Sequence, residues 1–236
     1  MSTPKTAASR YINFYTDFAF KKIFGTEANK DFLISFLNAL LGLEGGKAII
    51  DVSYLEAEQL GNGEKREVYG VYCQTKEEDR FILEMQKAKQ DNFRDRALYF
   101  SSFAIREQGY RDMLGRLSWN NKLSPVCVVR IFDFLMDESS GSDNVITQVC
   151  LKDENNKVFN DKLKFIFVEM PKFNKEESEL ESFLDKWFYI FKNMCHLQDK
   201  PASFTEDVFK KLFEKAEVAV LSKEELQEYE ESLKKI

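Results

Sequence analysis

Histidine and paired cysteines are scarce in this sequence of 236 residues. There is one histidine, His196, so a Ser-His-Asp triad or a multi-histidine metal site would depend on that residue alone. The four cysteines are Cys73, Cys127, Cys150 and Cys195, which lie far apart and form no CxxC pair. This spacing indicates neither a zinc site nor a disulfide framework. We therefore expect a reduced, cytoplasmic chain in which any catalysis depends on carboxylates.

Long apolar runs and a surplus of basic residues are also missing. No apolar run approaches the roughly 18 residues of a membrane span, and the first ten residues lack the apolar stretch of a signal peptide. We therefore expect no membrane partner. The net charge of −6 disfavours a strongly basic, nonspecific nucleic-acid binder. The charge is unevenly distributed, since residues 84–116 contain seven lysines and arginines against five acids, whereas residues 201–236 contain six against nine.

What is abundant is phenylalanine, with 22 residues, which predicts an aromatic-rich core. Apolar periodicity and end signals predict helices over Asp17–Phe24, Asn29–Leu41, Asp91–Gln108, Glu177–Cys195, Thr205–Lys215 and Ser222–Lys234. Strand patterns cover Ile49–Glu58, Arg66–Gln74, Arg80–Gln86, Val126–Phe134, Val145–Lys152 and Leu163–Glu169. The order predicts an α/β or α+β fold, in which a mixed sheet carries helices on its faces. We expect one domain over residues 1–200 and a C-terminal helical extension over residues 201–236.

A carboxylate and an amide interrupt the apolar strand pattern of residues 81–86. Because strand side chains alternate between faces, Glu84 and Gln86 project together from one face with Ile82. A buried glutamate is unfavourable unless it is paired or bound to a cation. The spacing alone leaves two alternatives open. Glu84 binds a metal ion, or it lies at the sheet edge in solvent or pairs with a lysine or arginine.

Five short motifs, followed by Asp185–Trp187, occur in a family's order, and the resemblance that they carry extends from about residue 17 to residue 192. They are Asp17–Gly25 (D-x-x-F-K-x-x-F-G), Asn29–Leu41 (NK…FLNALL), Glu84–Gln86 (E-M-Q), Arg96–Ser101 (R-x-x-Y-x-S) and Glu169–Phe173 (E-[LM]-P-K-F). Through them the sequence resembles the recombination-promoting nuclease and transposase family of the PD-(D/E)XK nuclease superfamily. The resemblance implies a restriction-endonuclease-like αβββαβ core with a mixed sheet, followed by C-terminal helices.

The function that the resemblance implies is metal-dependent hydrolysis of DNA phosphodiesters with Mg²⁺ or Mn²⁺. Glu84 would be a metal ligand, Gln86 would occupy the place of the superfamily's lysine, and Asp17 would be a supporting acidic group. A bound cation would generate a nucleophile near neutral pH and neutralise charge on the transferring phosphate. The residues expected to contact DNA phosphates are Lys87, Lys89, Arg94 and Arg96. The resemblance is also compatible with a homodimer, and relatives often continue with further charged helices, so we expect a short or truncated form.

One departure from the family's pattern affects the metal site. The family's aspartate lies 14 residues before the glutamate, and this position is Gly70, which cannot ligate a metal. The nearby Glu67 lies on the opposite strand face by parity. Three accounts remain open: an inactive copy, a variant active site, or a bulge that lets another acid serve. We expect the endonuclease to be impaired through Gly70.

The rival interpretation is a DNA- or protein-binding module that retains the nuclease fold without the chemistry. A purely structural role for a salt-bridged Glu84 is the third alternative. The adjacent Cys195 and His196 do not form a chelate by themselves, and Phe183, Trp187 and Phe191 have the helical spacing of a core.

Overall fold

The structure is a computed structural model that describes residues 9–55, 70–87, 92–113, 122–136 and 142–236. The chain divides into two compact units. The helical unit comprises the residues up to Ala48 together with Phe173–Ile236, and the sheet unit comprises Ile49–Lys172. The helices beyond residue 200 thus fall in the same unit as the N-terminal helices. The predicted domain boundary at residue 200 stays a prediction.

The described residues of the sheet unit form six strands and one long helix. The strands are β1 (Val52–Tyr54), β2 (Gly70–Thr75), β3 (Arg80–Gln86), β4 (Val126–Phe132), β5 (Ile146–Lys152) and β6 (Val158–Glu169), and α3 (Phe93–Met113) lies between β3 and β4 in the chain. The strand order is β1-β2-β3-β4-β6-β5. The pairs β3–β4 and β4–β6 are parallel, and the other neighbours are antiparallel. This is the predicted mixed sheet, with the predicted antiparallel meander at one side.

The parallel strands β3 and β4 are buried along almost their whole length. Their position in the middle of the sheet explains their continuous apolar runs, because an interior strand is covered on both faces. The side chains of Ile82, Val128 and Phe167 belong to a core cluster that also contains Phe93 and Ala97 of α3. The face of the sheet that carries Glu84 and Gln86 is therefore the face against which α3 packs.

In the helical unit, the residues from 9 onwards that the structure describes form five α-helices, which are α1 (Asp17–Phe24), α2 (Lys30–Leu41), α4 (Phe183–Asn193), α5 (Asp207–Ala216) and α6 (Lys223–Leu233). Its core is the predicted aromatic one. The ring of Phe24 lies 5.6 Å from that of Trp187, and Phe36 lies 5.1 Å from Phe191 in an edge-to-face arrangement. Such pairs add about 0.5–1.5 kcal/mol each beyond the burial of their area. In the described ranges, no helix is both long enough and apolar enough to cross a membrane.

The ends of several elements correct the sequence-based prediction. Gly109 does not end α3, which continues to Met113, since a single glycine in a helix interior costs only about 1 kcal/mol. The fourth helix begins at Phe183 instead of Glu177, because Ser182 forms a capping box with Asp185 there. Asn29 precedes α2 as predicted but does not cap it, since its amide donates to the Lys22 carbonyl oxygen at 2.8 Å.

Three predicted features lie outside the described residues. They are the turn at residues 61–63, the first part of the second predicted strand at residues 66–69, and the first residue of the third predicted helix, residue 91. The first predicted strand is described only as far as residue 55. Within that part, β1 is limited to Val52–Tyr54. The bounds of α1 and β3 are those that the sequence predicts.

Candidate functional site

Four residues form a row across the middle of the sheet. Gly70 of β2 is the partner of Glu84 of β3, Glu84 is the partner of Arg130 of β4, and Arg130 is the partner of Phe167 of β6. Because β3 is an interior strand, Glu84 does not lie at the sheet edge, so that alternative is wrong. On the β2 side, the residue opposite Glu84 has no side chain. On the β4 side, the residue opposite Glu84 carries a guanidinium group.

Glu84 is bound by two arginines, one on the sheet and one on α3. Its Oε2 accepts a hydrogen bond from Nη2 of Arg130, and its Oε1 accepts one from Nη2 of Arg96 at 3.1 Å. The side chains of Glu84 and Arg130 are 9% and 0% exposed, whereas that of Arg96 is 27% exposed. Of the alternatives open from the sequence, pairing with an arginine is therefore the one found. Among the described residues, this cluster pairs one carboxylate with two guanidinium groups.

Arg130 is held from two sides in the interior. Its Nη1 donates to the carbonyl oxygen of Phe93, the first residue of α3, at 2.5 Å. Burial lowers the pKa of Arg130, and the adjacent Glu84 carboxylate opposes that shift. The guanidinium thus fixes the start of α3 to β4 and at the same time neutralises Glu84. An unpaired charge at this depth would be strongly unfavourable, so each partner makes the burial of the other possible.

Gly70 has no room for a side chain. A Cβ atom built on its backbone would lie 2.3 Å from the carbonyl oxygen of Leu83, which is closer than real contacts allow. The obstacle is the backbone of the neighbouring strand, so it cannot be relieved by a side-chain rotation. An acid at this position, as the family's pattern has it, would require the two strands to move apart.

Gln86 closes a second row, at the carboxyl ends of the parallel strands. It is the partner of Phe132, which is the partner of Glu169 at the end of β6. Gln86 is buried, and its backbone carbonyl oxygen accepts from the amide of Asp133 at 3.1 Å. Glu169 is only 2% exposed, and its carboxylate accepts from the amide of Met136 and from Nζ of Lys172, each at 2.8 Å.

The remaining predicted site residues are distributed as follows. Lys87 is exposed directly after β3, and Arg94 is exposed in the first turn of α3 with its guanidinium 4.8 Å from the centre of the Phe93 ring. Lys89 lies outside the described residues. Asp17 belongs to the helical unit, where it forms an ion pair with Lys21 at 3.0 Å. Arg96 contacts Glu84, and its contact with DNA stays a prediction.

Sequence reasoning missed Arg130 as a member of this site. The signal was present, because Arg130 is the one charged residue in the otherwise apolar run VCVVRIF. A lone arginine in a strand that is buried on both faces requires a partner, and Glu84 is the corresponding charged residue of β3. What the sequence could not supply is the register that places the two residues opposite each other.

The described residues do not fit a divalent cation at Glu84. Mg²⁺ prefers several oxygen ligands in an octahedral arrangement. Here both carboxylate oxygens of Glu84 accept from guanidinium groups, and the opposite residue, Gly70, offers no side-chain ligand. In the part of the chain that the structure describes, no group of three or more His, Cys, Asp or Glu side chains could hold a metal ion.

The mixed sheet of six described strands, with the polar residues of β3 on the face against which α3 packs, is consistent with a PD-(D/E)XK nuclease-like fold. The sequence profile of the PD-(D/E)XK nuclease family transposases matches residues 14–236. The chain belongs to that family. No curated protein and no solved structure matches it. Nucleases of this kind generally use divalent metals, whereas Glu84 of this chain is paired with two arginines.

Proposed function

We propose that this protein is a DNA-binding PD-(D/E)XK endonuclease whose metal-dependent hydrolysis is impaired. One observation carries the proposal: Glu84, the expected metal ligand, is ion-paired with Arg130 and Arg96 opposite a glycine. Family membership supports DNA as the partner. The impairment has two physical causes, which are the missing carboxylate at Gly70 and the guanidinium groups that occupy Glu84.

The two causes act together on the chemistry that hydrolysis needs. Cleavage of a phosphodiester requires an activated water and neutralisation of charge on the transferring phosphate. A glutamate whose two oxygens both accept from guanidinium groups is a poor ligand for the cation that would supply both of these effects. Breaking the ion pair would leave the buried Arg130 with an unpaired charge in the core, which is strongly unfavourable, so Glu84 stays paired with it.

DNA binding does not need this chemistry. Lys87 and Arg94 are exposed near the carboxyl end of β3 and the start of α3, and Lys89 lies between them in sequence. Cations of this kind contact phosphates and contribute most of the nonspecific affinity for DNA. The second candidate function, a binding module that retains only the fold, is favoured by the same ion pair that argues for impairment.

The experiment measures plasmid nicking and DNA binding on the same preparations. Nicking is followed in Mg²⁺ and in Mn²⁺ for the natural chain and for Glu84→Gln, with EDTA as the blank. Gly70→Asp is unsuitable as a repaired enzyme, because its side chain would meet the Leu83 carbonyl. We expect both proteins to leave the plasmid intact and both to bind DNA with an affinity that falls as salt rises.

Each other outcome selects a different function. If the natural chain nicks and Glu84→Gln does not, the endonuclease is active and the impairment is wrong. If neither protein nicks and neither binds DNA at low salt, the protein-binding module is the remaining candidate. A homodimer stays a prediction, which light scattering of the purified chain checks.

A further inference from the structure

A cavity of about 450 Å³ lies in the sheet unit at the carboxyl end of β6. The residues that line it and matter here are Arg94, Met136, Asn144, Gln148, Glu169 and Lys172. Neither Glu84 nor Gln86 lines the cavity, so it is distinct from the ion-paired row described above. Crevices at the carboxyl ends of parallel strands are a frequent place for ligands in α/β proteins, and this volume falls in the range of small-molecule sites.

Among the described residues, two cations line this cavity, and the charge of one of them is balanced by a neighbouring carboxylate. Lys172 has its Nζ 2.8 Å from the Glu169 carboxylate, and the side chains are 13% and 2% exposed. Because Glu169 also accepts from the Met136 amide, its position is fixed by the backbone, and that of the lysine head group follows. Arg94 supplies the second cation from the first turn of α3. The positive end of a 21-residue helix adds to the local potential there.

The other described residues that line the cavity are the Glu169 carboxylate paired with Lys172, the hydroxyl-bearing Ser142 and Thr147, and neutral side chains of two further kinds. Asn144 and Gln148 contribute side-chain amides, which can donate and accept hydrogen bonds at once. Met136 and Ile146 contribute apolar surface. A simple inorganic anion would use only the cations and leave most of the volume unfilled. A ligand that uses all of the lining combines an anionic group with a flat, polar-edged body.

We propose that this cavity binds a nucleoside monophosphate unit, with the phosphate at Arg94 and Lys172 and the base between the amides and the apolar surface. Arginine and lysine are the side chains that suit phosphate oxygens, the former in bidentate geometry. Amide side chains pair with base edges, and apolar side chains can stack against an unpaired base. The unit is supplied either by a DNA strand end or by a free mononucleotide. The first source rests on the proposed DNA binding, whereas the second does not.

The chain offers a matched control for the arginine. Arg94 and Arg106 are both exposed on α3, and each guanidinium lies over a phenylalanine ring, at 4.8 Å from the centre of Phe93 and 4.9 Å from that of Phe103. They are separated by about 18 Å along the helix axis, and Arg106 does not line the cavity. Arg94→Gln and Arg106→Gln therefore remove the same charge from the same helix.

The test measures binding of dAMP, deoxyadenosine and inorganic phosphate to the full chain by calorimetry and by NMR shift titration. We expect dAMP to bind more tightly than either of its parts. Arg94→Gln should weaken dAMP binding at least tenfold, whereas Arg106→Gln should leave it within twofold of the natural protein. Melting curves of both variants establish that each is folded.

Three results would overturn the proposal. They are no dAMP binding at millimolar concentration, equal affinity for dAMP and deoxyadenosine, or equal effects of the two arginine variants.

A competition experiment with DNA identifies the source of the bound nucleotide unit. If dAMP displaces a 5′-phosphorylated linear duplex but not closed circular DNA, the occupant is a strand end, and if it displaces neither, the occupant is a free nucleotide. If the natural chain binds dAMP but no DNA, the proposed function is rejected, whereas the assignment of the cavity as a nucleotide site is retained.

Discussion

Glu84 and Arg130 lie directly opposite each other on adjacent parallel strands and form an ion pair in the interior of the sheet. Neither side chain is more than 9% exposed. This relationship gives the site its character, because the carboxylate that a nuclease of this family would be expected to use is already neutralised by the protein itself. A buried ion pair contributes little net stability, but removing one partner is strongly unfavourable. Substitution of either residue alone is therefore expected to destabilise the fold.

Replacement of Arg130 by methionine should destabilise the fold by about 3 kcal/mol, because Glu84 would be left with only the partly exposed Arg96. Urea denaturation measures the free energy of unfolding. The control is the double variant Glu84→Met/Arg130→Met, which removes both charges and should recover most of the loss. Additive effects of the two single substitutions would contradict the assignment of a coupled pair.

Replacement of Gly70 by alanine should lower the free energy of unfolding by about 1–3 kcal/mol, because its Cβ would lie 2.3 Å from the Leu83 carbonyl oxygen. Gly46 is the matched control, since a Cβ there meets nothing within 4 Å. Gly46→Ala should be neutral or slightly stabilising through the unfolded state. Equal effects at the two positions, measured by urea denaturation, would show that β2 and β3 do not approach as closely as described.

Addition of Mg²⁺ or Mn²⁺ should leave the melting temperature unchanged beyond the effect of ionic strength, because both oxygens of Glu84 accept from guanidinium groups. A ligand that binds only the folded state raises the melting temperature with its concentration, so differential scanning fluorimetry is a direct readout. The control titration uses NaCl at matched ionic strength. A metal-specific rise that disappears in Glu84→Gln would place a cation at Glu84 and contradict this expectation.

Stability should fall as pH rises above about 9, because two buried thiols must stay protonated in the folded state. Burial raises the pKa of Cys73 and of Cys127 from 9.0 to about 12. Between these values the unfolded chain has released the protons and the folded chain has not, so the folded state binds more protons and unfolding becomes more favourable. Each thiol contributes a slope of roughly 1.4 kcal/mol per pH unit.

The slope is measured by urea denaturation at a series of pH values. In Cys73→Ala/Cys127→Ala the part of the slope due to these thiols should vanish, whatever the constant loss from the smaller side chains. Cys150 is exposed, so Cys150→Ala should keep the natural slope. An unchanged slope in the double variant would mean that these thiols titrate alike in the folded and unfolded states.

The sequence by itself determined the elements and the family. The bounds of α1 follow from the Thr16 cap, the apolar spacing and Gly25, which are all local. Strand alternation placed Glu84 and Gln86 on one face, and five ordered motifs indicated a nuclease family that the sequence profile confirms. Local signals were less reliable where tertiary packing determines the end of an element. At Gly109, for example, the predicted end of the helix is not observed, and α3 continues to Met113.

The tertiary structure alone decided what Glu84 does. The residues Glu84 and Arg130 are 46 positions apart, and no local pattern encodes the parallel register that makes them neighbours. In the same way, Gly70 is identifiable in the sequence as a missing carboxylate, but the contact with Leu83 that excludes a side chain depends on how two backbones approach. Propensity and periodicity act within a few residues, whereas the fate of a buried charge depends on the strand that packs beside it.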